Sequence, residues 1–314
     1  MAMTSSKNND KQHFGGIWTV EKMDAVEKYL DSFTKVMKNQ TFFETIYIDA
    51  FAGSGECIIG SEANNIQIDG SAIRSLKIEN KFGNYIFVES KKSKISSLRQ
   101  TCEANHSDLL NRIKFVNADA NDTISKLLDT KFIGKNKRGV IFLDPFGASV
   151  TWETLKKIAD TKVLDVWYLF PLSAILRFAS KDLNKALEDN LDICLGTTEW
   201  RHWYNADNQS ERTIEDVLTF FSKRLKILFP LTLNPVILKN STNSPMFAMY
   251  FAMGNDSPRA TEVALDIASY ILNMFEEKKL ANDVRPQIIA NNQKDRLRRQ
   301  KQKHEGRGQS DLFD

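Results

Sequence analysis

The chain has 314 residues, 42% of them hydrophobic, with 43 Lys and Arg against 40 Asp and Glu. That is the composition of an ordinary globular protein, and it excludes whole-chain disorder or a fibrous repeat. No segment reaches the roughly 18 uninterrupted apolar residues of a membrane span, and the opening MAMTSSKNNDKQHF has no apolar leader, so a cytoplasmic protein without membrane contact is expected.

In chain order, Val20, Met23, Val26, Leu30, Phe33 and Met37 recur at helical spacing, which predicts an amphipathic helix with Thr19 at its N-cap. Short apolar strands follow at Thr45–Ile48, Asn84–Val88, Ile113–Val116, Val140–Leu143 and Asp165–Phe170. Helical patterns fill the intervals at Ser71–Glu79, Lys91–Asn105, Asp122–Leu128 and Trp152–Asp160. Strands alternating with helices imply crossover connections, hence an α/β doubly wound, mainly parallel sheet covered on both faces. The alternation stops between Pro171 and about Pro230, where Leu172–Leu187 and Ile214–Leu228 predict a helical insertion around the cluster Trp200-Arg201-His202-Trp203-Tyr204. Those aromatics read either as base-stacking groups or as the insertion's own core. Strands at Pro235–Leu238 and Met246–Met253 and a helix from Arg259 to about Glu277 then return.

Charge is uneven along this order. Residues 1–284 hold 35 basic and 36 acidic side chains, whereas residues 285–308 hold eight and two, a local +6. The tail is expected to fray, and its charge suits nucleic acid phosphates, an acidic partner or simple solvation. Cys57, Cys102 and Cys194 are odd in number and widely spaced, so neither a disulfide framework nor a metal site is expected.

Ligands of doubly wound sheets sit outside the carboxyl ends of the strands, where strand order reverses. Strand one leads through Asp49 and Phe51 into Gly53-Ser54-Gly55. A nicotinamide dinucleotide turn would need a third glycine where Ile58 stands, and a carboxylate at the strand end suits an ammonium-bearing ligand better than a pyrophosphate. Strand two ends at Glu89, an acceptor for ribose hydroxyls. Strand three leads to Asp119-Ala120, where the carboxylate can accept from an adenine amino group, and strand four to Asp144-Pro145-Phe146-Gly147. Each acid alone is equally a solvated loop residue or a helix N-cap, but four carboxylates along one edge are costly to hold there without a ligand.

Together these residues resemble class I S-adenosylmethionine-dependent methyltransferases over roughly residues 40–255. The narrower set Trp18-Thr19, Asp49 to Gly55, Gly70-Ser71-Ala72, Phe142 to Gly147 and Val150-Thr151-Trp152 is similar to the three-Cys-motif partner family, a bacterial and phage-associated group, with Ser54 where the family more often has proline. The resemblance implies a seven-stranded Rossmann-like sheet closed by a sixth and an antiparallel seventh strand. It also implies S-adenosylmethionine held by Asp49, Phe51, Gly53, Gly55, Glu89, Asp119 and Ala120, and a partner protein carrying a three-cysteine, radical-enzyme-like motif. The D-P-F-G run resembles the motif of enzymes that methylate exocyclic amines of bases in DNA or RNA. On that pattern Asp144 and the Pro145 carbonyl accept the amine hydrogens and Phe146 stacks on the base, although Phe146 and Gly147 replace the second proline and terminal aromatic of the commoner form.

The expected organisation is an N-terminal segment and helix over 1–40, a cofactor-binding core over 41–172 and the insertion over 173–232. The closing strands and helix occupy 233–284 and a basic, flexible tail 285–314. The alternative function is a non-catalytic binding or scaffold subunit of the same two-protein system.

Overall fold

A computed structural model describes residues 13–14, 16–61, 64–130, 132–179, 185–204, 214–282 and 284–308. After a two-residue strand β1 (His13–Phe14), helix α1 (Ile17–Met37) precedes the first long strand, β2 (Glu44–Asp49). The chain continues through β3 (Glu56–Ser61), β4 (Asn64–Asp69), α2 (Ser71–Lys77), β5 (Asn84–Val88), α3 (Lys92–Asn105), β6 (Ile113–Val116) and α4 (Ala120–Asp129). Next come β7 (Lys137–Leu143), α5 (Trp152–Thr161), β8 (Leu164–Phe170), α6 (Leu172–Ala179), α7 (Lys185–Leu195), α8 (Trp200–Tyr204) and α9 (Ile214–Leu228). The described chain ends with β9 (Leu231–Thr232), β10 (Val236–Lys239), β11 (Pro245–Met253), α10 (Pro258–Glu276) and α11 (Arg285–Gly308).

The main sheet runs β10-β11-β8-β7-β2-β5-β6, with β9 added beside β11. The β2–β5, β5–β6, β2–β7 and β7–β8 pairs are parallel, while β11 is antiparallel to β8 and β10. This is the doubly wound, Rossmann-like sheet expected of the methyltransferase superfamily, with its antiparallel closing strand. Strand order reverses between β2 and β7, which places the crevice between the loops that follow these two strands.

Alternation along each strand sorts the core by face, because successive side chains point to opposite sides. Tyr47, Tyr85, Phe87, Trp167 and Phe251 pack on the side of α1, α2, α3 and α10. Ile46, Ile48, Ile86, Ile141 and Tyr250 pack on the side of α4, α5, α7 and α9. Phe221 of α9 stacks on Phe170 of β8 at 4.1 Å between ring centroids, which fixes the insertion to the sheet. Full burial of a side chain of this size contributes about 1.5–3 kcal/mol.

Four parts of the chain differ from the sequence expectation. The glycine turn does not enter a helix directly: β3 and β4 form a hairpin between Gly55 and Gly70, and β3 pairs in parallel with β1 in a separate sheet. Its six-residue strands are polar and half exposed, so the apolar run that marked the other strands is missing. The tail is not frayed over 285–308 but helical. It is rich in Arg, Lys and Gln, which are good helix formers, and it is anchored by Ile288, buried with Val20, Ile59 and Ala281. Asn64 Nδ2 donates to Asp295 Oδ1 at 2.6 Å, and Arg285 Nη2 to Glu21 Oε1 at 2.8 Å. The third difference lies in the insertion, where α7 and α8 add to the two predicted helices. α1 also begins two residues before Thr19, with Gly16 at its N-cap.

Candidate functional site

The loops after β2 and β7 face each other across a cavity of 540 Å³, closed on the third side by the first turns of α1 and on the fourth by the start of α3. Gly53 and Gly55 turn the chain with φ of 64° and 87°, a region open mainly to glycine. A Cβ on Gly55 would lie 2.9 Å from Leu98 Cδ1, so the turn sits directly on α3. Gly70 N donates to Gly55 O at 2.7 Å, which closes the hairpin at its base and delivers α2 back to the end of β2.

The expected residues divide into two groups. Phe51, Gly53, Gly55, Asp144, Pro145 and Phe146 line the cavity. Asp49, Glu89, Asp119 and Ala120 stand at the same strand edge but do not line it. Asp49 is fully buried, and its carboxylate accepts from Ser71 Oγ at 2.5 Å, Phe51 N at 3.3 Å and Tyr47 Oη at 3.4 Å. Burial pushes its carboxyl up to about 7 against those hydrogen bonds, and the Asp144 charge adds to the rise. In this arrangement Asp49 ties β2, the turn and α2 together.

Glu89 is buried, and Oε1 takes both of its hydrogen bonds, from Lys91 N at 2.7 Å and Ser90 Oγ at 3.3 Å. Its Oε2 has no hydrogen-bond partner among the described residues. Asp119 is the N-cap of α4, with Oδ1 accepting from Asp122 N at 3.1 Å, and Ala120 is the buried first residue of that helix. Asn117 Nδ2 donates to the Glu89 and Ser90 carbonyls at 2.8 Å and so links the second and third of the four strand ends.

The D-P-F-G turn follows β7, with Thr151 capping α5 through a 3.1 Å bond from Thr154 N. Phe146 is 58% exposed, an unusual state for a phenyl ring beside a cavity, and Lys94 Nζ of α3 lies 5.3 Å from its centroid. Asp144 Oδ2 is ion-paired with Lys22 Nζ of α1, and Asp144 Oδ1 has no hydrogen-bond partner among the described residues. Lys22 is the site residue that sequence reading missed. It is only 3% exposed, and its Nζ lies 5.1 Å from the Trp18 ring and 5.9 Å from the Phe247 ring. A lysine within the apolar stripe of α1, between Thr19 and Met23, was the available signal. Cys57 also borders the cavity, but burial pushes its thiol up to about 11, so it is not a thiolate nucleophile.

The chain matches no protein-family model and no curated protein. Among solved structures it is similar to a Legionella pneumophila protein of the DUF519 family, with 12% identity, a TM-score of 0.43 and coverage of 83% of this chain and 94% of that one. It is also similar to spermidine synthase from Thermotoga maritima, at 15% identity and a TM-score of 0.40 over 78% of this chain and 63% of that one. The methyltransferase domain of bacterial CtHen1 gives 12% identity and a TM-score of 0.34 over 73% and 99%. Likeness at this level carries no substrate or residue role across.

The aromatic cluster of the insertion is structural where it is described. Trp200 is fully buried and its Nε1 donates to Asp192 Oδ1 at 2.7 Å, while Arg201 forks onto Asp192 at 2.7 and 2.9 Å. The side chains of Trp203 and Tyr204 lie outside the described residues. No described helix is long and apolar enough to cross a membrane.

Proposed function

We propose that the chain is an S-adenosylmethionine-dependent methyltransferase whose acceptor is an exocyclic amine of a nucleic-acid base. The observation that carries this reading is the juxtaposition, across one cavity at the point of strand reversal, of the glycine turn and the D-P-F-G turn. The donor set fits the cofactor. The left-handed glycines bring backbone close to a ligand, and Glu89 Oε2 is an open acceptor for ribose hydroxyls. Asp119 has one carboxylate oxygen beyond its capping bond for an adenine amino group, with Ala120 N–H beside it.

When bound, S-adenosylmethionine supplies an electrophilic methyl group. The chain's own residues do the rest by positioning, which is where most of the rate enhancement for such a transfer is to be found. Asp144 Oδ1 and the Pro145 carbonyl accept the amine hydrogens and aim the nitrogen lone pair. Phe146, exposed beside the cavity, stacks on a base that has left its duplex or was never in one. α11 gives such a strand a cationic track, with Lys294 and Arg298 exposed on it. A three-Cys-motif protein is the proposed partner on the strength of the motif resemblance, and co-purification of the two proteins tests that pairing.

Calorimetric titration with S-adenosylmethionine, S-adenosylhomocysteine and NAD tests the cofactor. Micromolar binding of the first two and none of NAD is expected, and Glu89→Ala should weaken that binding at least tenfold, about 1.4 kcal/mol. NAD binding, or no binding of the first two, overturns the reading, and the latter leaves the scaffold role as the better account.

A further inference from the structure

The Lys22 ammonium sits in a site built for a cation. Its charge faces the Asp144 carboxylate on one side and two aromatic rings, Trp18 and Phe247, on others, at distances within the roughly 6 Å reach of a cation–π contact. All four residues line the 540 Å³ cavity, and Lys22 itself is almost wholly buried. A buried ammonium is retained only where its charge is matched, and here one carboxylate oxygen matches it while the other stays open.

We infer that Lys22 is a specificity-determining residue that fills the cation site of the acceptor pocket and thereby selects neutral amines against ammonium-bearing ones. The inference rests on the methyltransferase reading and narrows its substrate class. With Lys22 in place the carboxylate is already neutralised, so a second positive charge entering the pocket meets an ammonium and has no unmatched anion to join. A neutral amino group needs only an acceptor for its N–H, which Asp144 Oδ1 provides. An aromatic exocyclic amine, uncharged at neutral pH, satisfies this condition. An aliphatic di- or polyamine, protonated at neutral pH, does not. Discrimination of this kind works as much by repelling the wrong ligand as by attracting the right one.

The test is calorimetric titration of the full chain with putrescine and with cytidine, adenosine and guanosine, each with and without S-adenosylhomocysteine. Wild type is expected to ignore putrescine and to bind at least one nucleoside. Lys22→Met should bind putrescine at least tenfold more tightly than wild type, because an unmatched Asp144 carboxylate is left in the aromatic site. The double variant Lys22→Met/Asp144→Asn should lose that gain, and Lys22→Arg should behave as wild type. Circular dichroism establishes that each variant is folded, and Lys22→Gln serves if the methionine variant is not. Putrescine binding to wild type as tight as to Lys22→Met, or a gain that survives in the double variant, overturns the inference. Failure of S-adenosylhomocysteine to bind wild type overturns the methyltransferase reading instead, and the putrescine comparison without it still decides whether Lys22 fills a cation site.

Discussion

The two ends of the sheet each hold a carboxylate partnered by α1, and they are partnered differently. At the carboxyl end Asp144 meets the Lys22 ammonium. At the amino end Asp165, the second residue of β8, accepts from Tyr29 Oη at 2.7 Å beside a second cavity of 550 Å³ with walls from Phe33, Val36, Val263 and Ile267. Lys22 and Tyr29 are seven residues apart, close to two helical turns and about 10 Å along the axis, so one helix face reaches both ends. At the end that faces the glycine turn α1 contributes a full opposite charge, and at the other a neutral hydroxyl, with Arg138 and Arg259 also lining the cavity there. Burial pushes the Asp165 carboxyl up to about 7 even though Tyr29 and the nearby Arg138 favour its charged form. The partner that α1 offers at the amino end is thus a neutral hydroxyl, and at the carboxyl end an ammonium.

The pH dependence of stability tests this contrast with the largest effect. Asp165 and Asp49 both have carboxyls raised from 3.8 to about 7 in the folded state. Between about pH 4 and 7 the folded chain keeps protons that the unfolded chain has released. Stability is therefore greatest at the acid end of that window and falls as pH rises, by up to about 1.4 kcal/mol per pH unit for each group, levelling above 7. Urea unfolding at pH 5, 6, 7 and 8 should show the decline, and Asp165→Asn should make it shallower while raising stability at pH 8. An unaltered slope in that variant would place the titration elsewhere.

Lys22→Met comes next. Removing one partner of a fully buried pair costs about 3–5 kcal/mol, and the partial exposure of Asp144 reduces this to about 2 kcal/mol. Equal stability in wild type and variant would show that solvent, not Lys22, compensates Asp144. Tyr29→Phe should cost about 1–2 kcal/mol at pH 8 by leaving the Asp165 carboxylate without its donor. Ser71→Ala should cost about 1 kcal/mol, since Asp49 keeps its bonds from Phe51 N and Tyr47. Phe146→Ala, at an exposed position, should leave unfolding within about 0.5 kcal/mol of wild type while weakening nucleoside binding.

Much of this architecture is written locally. Asn84–Val88 and Ile113–Val116 are strands over the predicted residues, and Asp49, Glu89, Asp119 and Asp144 all stand at carboxyl strand ends, because apolar β-branched and aromatic runs announce buried strands. The pairings of Lys22 with Asp144 and of Tyr29 with Asp165 were not legible, since these partners lie 122 and 136 residues away and depend on how α1 is rotated against the sheet. The β3–β4 hairpin was hidden by its polar, half-exposed strands. α11 was masked by its charge, which describes a solvated surface without saying whether one buried isoleucine anchors it. Asp119 follows its N-cap reading, capping α4 at the carboxyl edge of the sheet.

The hairpin has a mechanical meaning for the whole chain. It leaves the glycine turn at Gly55, returns at Gly70, and on the way pairs with β1 and carries α11. A molecule gripping the terminal helix therefore has a handle on the backbone that shapes the cavity wall. Any such grip that favours one seat of the hairpin changes the affinity of the cavity's occupant, and occupancy of the cavity changes the grip by the same factor.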